Sequence, residues 1–357
     1  MPVNKDLEQN HLSQLAYVYD KPMCEGLIKT SPEDFQVSEN LSFDLERQGN
    51  HAYLYLQKQN LNTITVAKRL ETIANTKQVA IGYAGLKDKN ALTSQWFSVD
   101  LSGKPEPDWS QIEDQNLKVV DITRHSRKLR RGAIAYNRFK INVRDLQGDL
   151  EELKQRLPKI SETGVPNYFG SQRFGHNEQN LAYAVELFSS KTINGKKGSK
   201  NRFLQGLYIS SARSMLFNKV LSYRVKNDTW NCAMHGDAML LDGSNSYFVV
   251  DEVDQSVVQR VEEKDIHPTG PLYGLGKLAT THQIANIENQ ILSDNPLFLS
   301  GLEKFKAKMG RRSLRLDVKS MRWQLFEQDN QQRLELQFDL ASGSYATSVL
   351  RELIVLL

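Results

Sequence analysis

Cysteine is scarce, with Cys24 and Cys232 the only two in 357 residues. Two thiols make no disulfide framework and lack the paired spacing of a zinc site, so a reducing, cytoplasmic setting is expected. Long apolar runs are missing too. No stretch approaches the ~18 apolar residues of a membrane span, and residues 1–20 lack the apolar core of a signal peptide, so no membrane association is expected. The 7 histidines include no i,i+4 pair, which leaves a helix-borne zinc site without ligands. Neither a phosphate-binding G-x-x-x-x-G-K-[ST] loop nor a G-x-S-x-G nucleophile elbow occurs. Gly274 to Ala279 fits G-x-G-x-x-A on paper, but a Pro/Gly-rich segment stands where the preceding strand is required. Charge is nearly balanced, 46 Lys+Arg against 42 Asp+Glu, which permits an anionic partner without demanding one.

What is present is globular composition, 39% hydrophobic and 25% charged, without internal repeats. The first half reads as strands. Phe35, Val37, Glu39 and Leu41 share one face of an alternating run, which Glu39 interrupts. Leu54 and Leu56 with Tyr53 and Tyr55 suggest a strand covered on both sides, and Val79 to Ala84 a short apolar strand stopping at Gly85. Asn62 or Thr63 can cap a helix carrying Val66, Leu70 and Ile73. In the strand Arg138 to Arg144, period two sets Asn137 on the inward face of Phe139, Ile141 and Val143, where a polar group needs a partner. From about Leu153 the period is helical, with stripes Leu181, Val185, Phe188 and Ile209, Leu216, Val220, Tyr223. Residues 195–202 and 267–271 read as loops. Alternation returns with Leu314, Leu316 and Val318 in one strand and Leu334, Leu336, Phe338 and Leu340 in another. After Gly343 comes a helix through Val349, Leu350 and Leu353. A β-rich half, a helical middle and a β-rich end describe an α+β domain interrupted by an insertion.

Two kinds of stretch carry chemistry, basic runs and one acid-bearing loop. Arg124 to Arg144 holds eight Lys/Arg and no acid, interleaved with Tyr136 and Phe139, and Lys304 to Arg322 holds eight cations against Asp317. One such run alone reads more simply as a solvated basic face, but two that could meet on one sheet shift the balance toward RNA or DNA, with rings to stack on bases. The second kind is Gly85-Leu86-Lys87-Asp88-Lys89, in which Asp88 follows a buried strand between two cations that would keep it ionised as a nucleophile or base. By itself, Lys-Asp-Lys is also the composition of an ordinary surface turn.

Six collinear motifs add specificity: SPEDF at 31–35, GLKDK at 85–89, QWFSV at 95–99, HSRKLRRGAIAYN at 125–137, NYFGSQRFG at 167–175 and LQFDLASGSYATSVLREL at 336–353, with HPTGPLYG at 267–274 between the last two. In these the sequence resembles the TruD family of tRNA pseudouridine synthases from about Lys21 to the C-terminus. The resemblance implies a pseudouridine synthase catalytic domain on a mixed, largely antiparallel sheet, residues 1–162 and 310–357. A helix-rich insertion would occupy 163–309. It implies an isomerase acting on uridine 13 in the D arm of tRNA, without metal, cofactor or obligate protein partner.

Asp88 matches the family's catalytic aspartate, and Lys29, on the strand before Pro32, resembles the cation that pairs with it, or is a solvated lysine. Phe35, Asn137 and Tyr345 match positions that contact the target nucleotide, an extruded base needing hydrogen bonds and a stacking surface. Tyr345 departs from the family's usual Phe, which keeps the ring and adds a hydroxyl. Phe139 is either a stacking ring or plain core. Arg127, Lys128, Arg130 and Arg131 form the expected phosphate track. Glu39, inward on its strand, either pairs with a buried cation or lies at a partly exposed edge, the simpler reading, and is left outside the site.

Overall fold

The computed structural model describes residues 11–190, 199–328 and 331–357. In chain order, β1 is Cys24–Leu27, β2 Phe35–Leu41, β3 His51–Lys58, β4 Ile81–Tyr83, β5 Leu92–Asp100, β6 Leu117–His125 and β7 Ile134–Gly148, with helix α1, Thr63–Ile73, between β3 and β4. There follow α2 Leu150–Thr163, β8 Val165–Pro166, α3 Ser171–Phe174, α4 Gln179–Ser189, α5 Ser199–Lys226, β9 Ala238–Leu241, β10 Tyr247–Val249, α6 Gln255–Glu262, β11 Ile266–Leu272, α7 His282–Ser293 and α8 Pro296–Lys304. The chain ends with β12 Gly310–Ser313, β13 Arg315–Leu316, β14 Lys319–Gln328, β15 Gln331–Ala341, α9 Ala346–Leu353 and β16 Val355–Leu356.

Two compact bodies result. The first holds residues 22–161, 318–346 and 353–357, and the second the described residues of 11–21, 162–317 and 347–352. The sequence boundaries at 162/163 and 309/310 thus lie near the structural ones, with the short segments 11–21, 310–317 and 347–352 clustering with the helical body.

The first body is built on one sheet, β14-β15-β7-β2-β5-β3-β6, with β1 and β16 joined to β7 and β4 to β5. Only β2–β5 and β1–β16 are parallel, so the sheet is mixed and largely antiparallel. Register aligns two transverse rows on one face. Phe338, Phe139, Val37, Thr93 and Lys58 lie opposite one another in turn, as do Leu340, Asn137 and Glu39. α1 starts at the expected cap position, Asn62, and buries Val66, Ala67 and Leu70 against Leu54, Leu56, Phe97 and Val99. Removing these side chains from water supplies most of this body's driving force, at roughly 25 cal/mol per Å² of apolar surface.

The second body contains the sheet β10-β9-β11-β12 and the pair β13-β8, among its helices. Several sequence expectations change here. Residues 267–271 are not a loop but the middle of the buried strand β11. β11 pairs with β9 over Ile266 to Pro268 and with β12 over Thr269 to Leu272, so neither ladder runs its whole length. The Pro268 carbonyl accepts from Leu314 N–H, and a residue's N–H and C=O leave a strand on the same side, so its missing donor faces away from β9. A strand therefore does precede Gly274, but no helix opens until His282, and the dinucleotide pattern still lacks its context. Leu314, Leu316 and Val318 are all buried, yet the run is broken between β12, β13 and β14. Tyr223 leaves its expected stripe for solvent. Of the loop expected over 195–202, residues 195–198 lie outside the described residues and 199–202 begin α5.

Candidate active site

Asp88 lies in the loop after β4, which is shorter than the strand expected over 79–84. Residues 78–80 form a 3-10 turn and Val79 is exposed. The side chain of Asp88 pairs with Lys29 Nζ through Oδ2 and accepts the Asn90 N–H on Oδ1 at 3.0 Å. Burial alone would raise its pKa. The Lys29 hydrogen bond, the Asn90 N–H and the charges of Lys29 and Lys58 outweigh that, so the carboxyl sits below the ordinary aspartate value and is ionised at neutral pH.

The cations that hold Asp88 are not the two that flank it in sequence. Lys89 is exposed, and Lys87 turns the other way to pair with Glu39 Oε1 at 2.5 Å. Lys29 comes from a loop beyond β1 rather than from a strand, and its backbone is left-handed, φ 59°. That conformation costs a lysine about 1 kcal/mol or more and is characteristic of functional positions. Lys58 was not anticipated. It ends β3 in phase with the buried Ala52, Leu54 and Leu56, and its ammonium donates to the carbonyls of Leu61 (2.8 Å) and Asp88 (3.0 Å). Burial pushes its pKa down to about 8. A lysine in phase with a core row was the available signal.

The motif at 31–35 places Phe35. Pro32 opens a 3-10 turn, Asp34 accepts the Ser31 N–H at 3.0 Å, and the Arg144 guanidinium from β7 grips both carboxylate oxygens of the fully buried Asp34. The Phe35 ring then lies 4.5 Å from Lys29 Nζ, a cation–π contact, and meets Phe139 edge-on at 6.0 Å. Phe139 in turn stacks on Phe338 at 5.6 Å. The structure thus brings Asp88, Lys29, Phe35 and Phe139 into one contiguous set, with Phe139 buried between two core rings. Asn137 lies two residues along β7 on the same face, opposite Glu39 and Leu340. Its Oδ1 is buried and accepts no hydrogen bond among the described residues. An unmet buried acceptor costs about 1 to 3 kcal/mol, a cost that a water or a bound donor removes. Tyr345 is half-buried in the turn between β15 and α9.

Of the two readings of Glu39, the simpler one, a partly exposed edge, fails, and the pair with a buried cation holds. Glu39 is 2% exposed, with Lys87 on Oε1 and the Trp96 N–H on Oε2 at 3.0 Å. Burial still leaves its pKa raised, although Lys87 and Trp96 pull it down.

The first basic run divides into paired and unpaired cations. Arg138 makes a two-pronged pair with Asp339, Arg144 holds Asp34, Lys140 lies 3.3 Å from Glu335 and Arg124 pairs with Glu106. Between them, the loop joining β6 to β7 is pinned by Tyr53 Oη on the Arg127 carbonyl, by Ser98 Oγ on the Leu129 N–H, and by burial of Leu129 itself. Pinning Leu129 inward leaves Arg127, Arg130 and Arg131 exposed, while Lys128 bonds the Val79 carbonyl at 2.5 Å. Neither Arg130 nor Arg131 makes an ion pair among the described residues. The second run is split, with Lys306, Lys308, Lys319 and Arg322 exposed and the rest turned to partners within the chain. Arg311 pairs with Glu288 in the interior, Arg312 bonds Asn167, and Arg315 donates to His267 and to the carbonyls of Val261 and Ile266.

Sheet, loop and motifs together define a family. Over residues 11–187 and 196–353 the sequence matches the family described as tRNA pseudouridine synthase D (TruD), and the chain belongs to it. It is 44% identical to the tRNA pseudouridine synthase D of Nitrosococcus oceani, covering 95% of this chain and 93% of that one. With the protein of the same name from Hydrogenovibrio crunogenus it shares 42% identity, covering 96% of each. The fold is similar to the crystal structure of a putative tRNA pseudouridine synthase D from Methanosarcina mazei, with a TM-score of 0.72 at 24% identity over 95% of both chains.

Proposed function

We propose that this protein isomerises uridine 13 in the D arm of tRNA to pseudouridine, with Asp88 as the reacting carboxylate. The observation that carries the reading is the ionised Asp88 paired to Lys29 above the Phe35 ring. The isomerisation breaks the N1–C1′ bond and forms C5–C1′; C5 loses its proton and N1 gains one, so nothing is added to the nucleotide. Attack of Asp88 on C1′, attack on C6 and removal of a ribose proton all require an ionised carboxylate, which the Lys29 contact maintains. Phe35 supplies an apolar ring beside that carboxylate, and the unmet Oδ1 of Asn137 accepts from the extruded uracil, whose N3–H is a donor. Tyr345 adds a further ring for the base. Phe139 holds Phe35 in place through its edge contact. In this reading the sheet body is catalytic, the helical body is the family's insertion, and the enzyme works in the cytoplasm without metal or cofactor.

The decisive experiment incubates the purified protein with unmodified tRNA transcripts and maps pseudouridine by the carbodiimide block to reverse transcription. A stop at position 13 is expected, and its absence from every transcript would end the proposal.

Arg127, Arg130 and Arg131 form the phosphate track, with Lys128 fastened beneath it. Replacing Arg130 and Arg131 together by Ala is expected to weaken tRNA binding and to flatten its salt dependence. Each lost phosphate contact removes roughly 0.7 to 0.9 from the slope of log affinity against log salt. Titrations at several salt concentrations check this, and an unchanged slope would make these arginines an ordinary solvated face.

A further inference from the structure

The loop that carries Asp88 is tied down in a way that its surface position does not require. Connecting segments usually leave their backbone groups to water. Here the Gly85 carbonyl accepts from Gln95 Nε2 at 2.6 Å, the Lys87 N–H donates to Thr63 Oγ1 at 3.0 Å, and the Asp88 carbonyl accepts from Lys58. Thr63 Oγ1 in turn donates a hydrogen bond to Gln95 Oε1 at 3.0 Å, so β3, β5 and α1 all hold the same loop. The remaining tie is the buried pair of Lys87 with Glu39 on β2.

Burying a carboxylate in an apolar row is costly, and an ion pair in such a place adds little net stability over apolar side chains of the same size. What the pair does add is direction. The two neighbouring side chains have different partners, Lys87 on Glu39 of β2 and Asp88 on Lys29. Anchoring the Lys87 side chain on Glu39 therefore keeps it off the Asp88 carboxylate and fixes the backbone from which Asp88 reaches Lys29. We infer that Glu39 and Lys87 are positioning residues, a buried ion pair that sets the direction of the Asp88 carboxylate by anchoring the residue before it. This rests on the reading of Asp88 as the reacting group.

The test compares single-turnover rates and tRNA affinities of the full-length wild type, Asp88→Asn, Glu39→Gln, Lys87→Met, Lys87→Arg and the Glu39→Gln/Lys87→Met double variant. All are measured well below their melting midpoints. Glu39→Gln and Lys87→Met should each slow the chemical step about 10- to 100-fold with affinity within about threefold. The double variant should be no slower than the slower single one, because both remove the same tie. Lys87→Arg, which can still pair with Glu39, should recover most of the rate. A purely structural pair would lower the melting midpoint and leave the rate of the folded enzyme alone.

Lys87→Met turning over within twofold of wild type, or effects that multiply in the double variant, would overturn the inference. If Glu39→Gln does not fold, Lys87→Met and Thr63→Val, which removes the hydroxyl holding the Lys87 N–H, read the same loop. A wild type that makes no pseudouridine, or an Asp88→Asn that still does, would refute the proposed function instead, and those two arms report it separately.

Discussion

Asp88→Asn is expected to reduce single-turnover pseudouridine formation at least about 1,000-fold, a loss of roughly 4 kcal/mol of transition-state stabilisation. The amide matches the carboxylate in shape, but it is a poor nucleophile and a poor base, and each available route needs one or the other. Binding should change little, within about threefold, because affinity for folded RNA rests on many phosphate contacts rather than on one group facing the base. The fold should survive with a small loss. In wild type one oxygen of Asp88 accepts from Lys29 and the other from the Asn90 N–H. An amide has one oxygen and one donor, so it keeps one of these bonds and loses the other, which lowers the melting midpoint by a few degrees. Rate and affinity measured on the same preparation check the prediction; turnover near wild type would remove Asp88 from the chemistry.

The parts of this site legible in the sequence are those that local pattern encodes. Period two put Asn137 on the face of Phe139 and Ile141, and that row is buried as expected. Several strands and the helix from Thr63 were also readable, because each buries one regular stripe, whereas the mixed pairing of the sheet was implied by the family resemblance alone. What escaped is pairing between residues distant in sequence. Lys29 and Asp88 lie 59 positions apart, and no local rule says which of several lysines reaches the carboxylate; local pattern offered the flanking Lys87 and Lys89, the family resemblance alone pointed to Lys29, and Lys58 was missed. For Glu39 the edge was preferred over a buried cation pair for the same reason. Read alone, an acid in an apolar row suggests an exposed edge, and only the inward turn of Lys87 makes its burial tenable. The second basic run misled because composition does not distinguish an arginine facing solvent from one such as Arg315, whose guanidinium is spent on interior carbonyls. β11 escaped because prolines normally interrupt a strand, whereas this strand changes partner between its two prolines.

Lys29→Met is expected to have the second-largest effect, and its signature is a shift in pH dependence. Methionine keeps the length and the apolar stem, and as a non-glycine residue it bears the same left-handed backbone cost, so the comparison isolates the charge. In wild type, burial pushes the Asp88 carboxyl up while Lys29, Asn90 and Lys58 hold it down. Removing Lys29 leaves burial opposed only by the Asn90 N–H and the more distant Lys58, and the pKa rises. Because the reaction needs the ionised form, the acid limb of the pH–rate profile should move to higher pH, and the rate at neutral pH should fall about 10- to 100-fold. Part of that loss is lost aim, since the ammonium also fixes the carboxylate beside the Phe35 ring. The sign for stability follows from the same shift. A carboxyl whose folded pKa is depressed contributes stability that is present above its unfolded pKa and lost as pH falls through the folded pKa. The variant lacks that contribution, so the two proteins should differ most in melting midpoint near neutral pH and converge as pH drops below the carboxyl range. An acid limb that stays in place while the midpoint gap persists at low pH would show that Lys29 supports the loop by packing, not by charge.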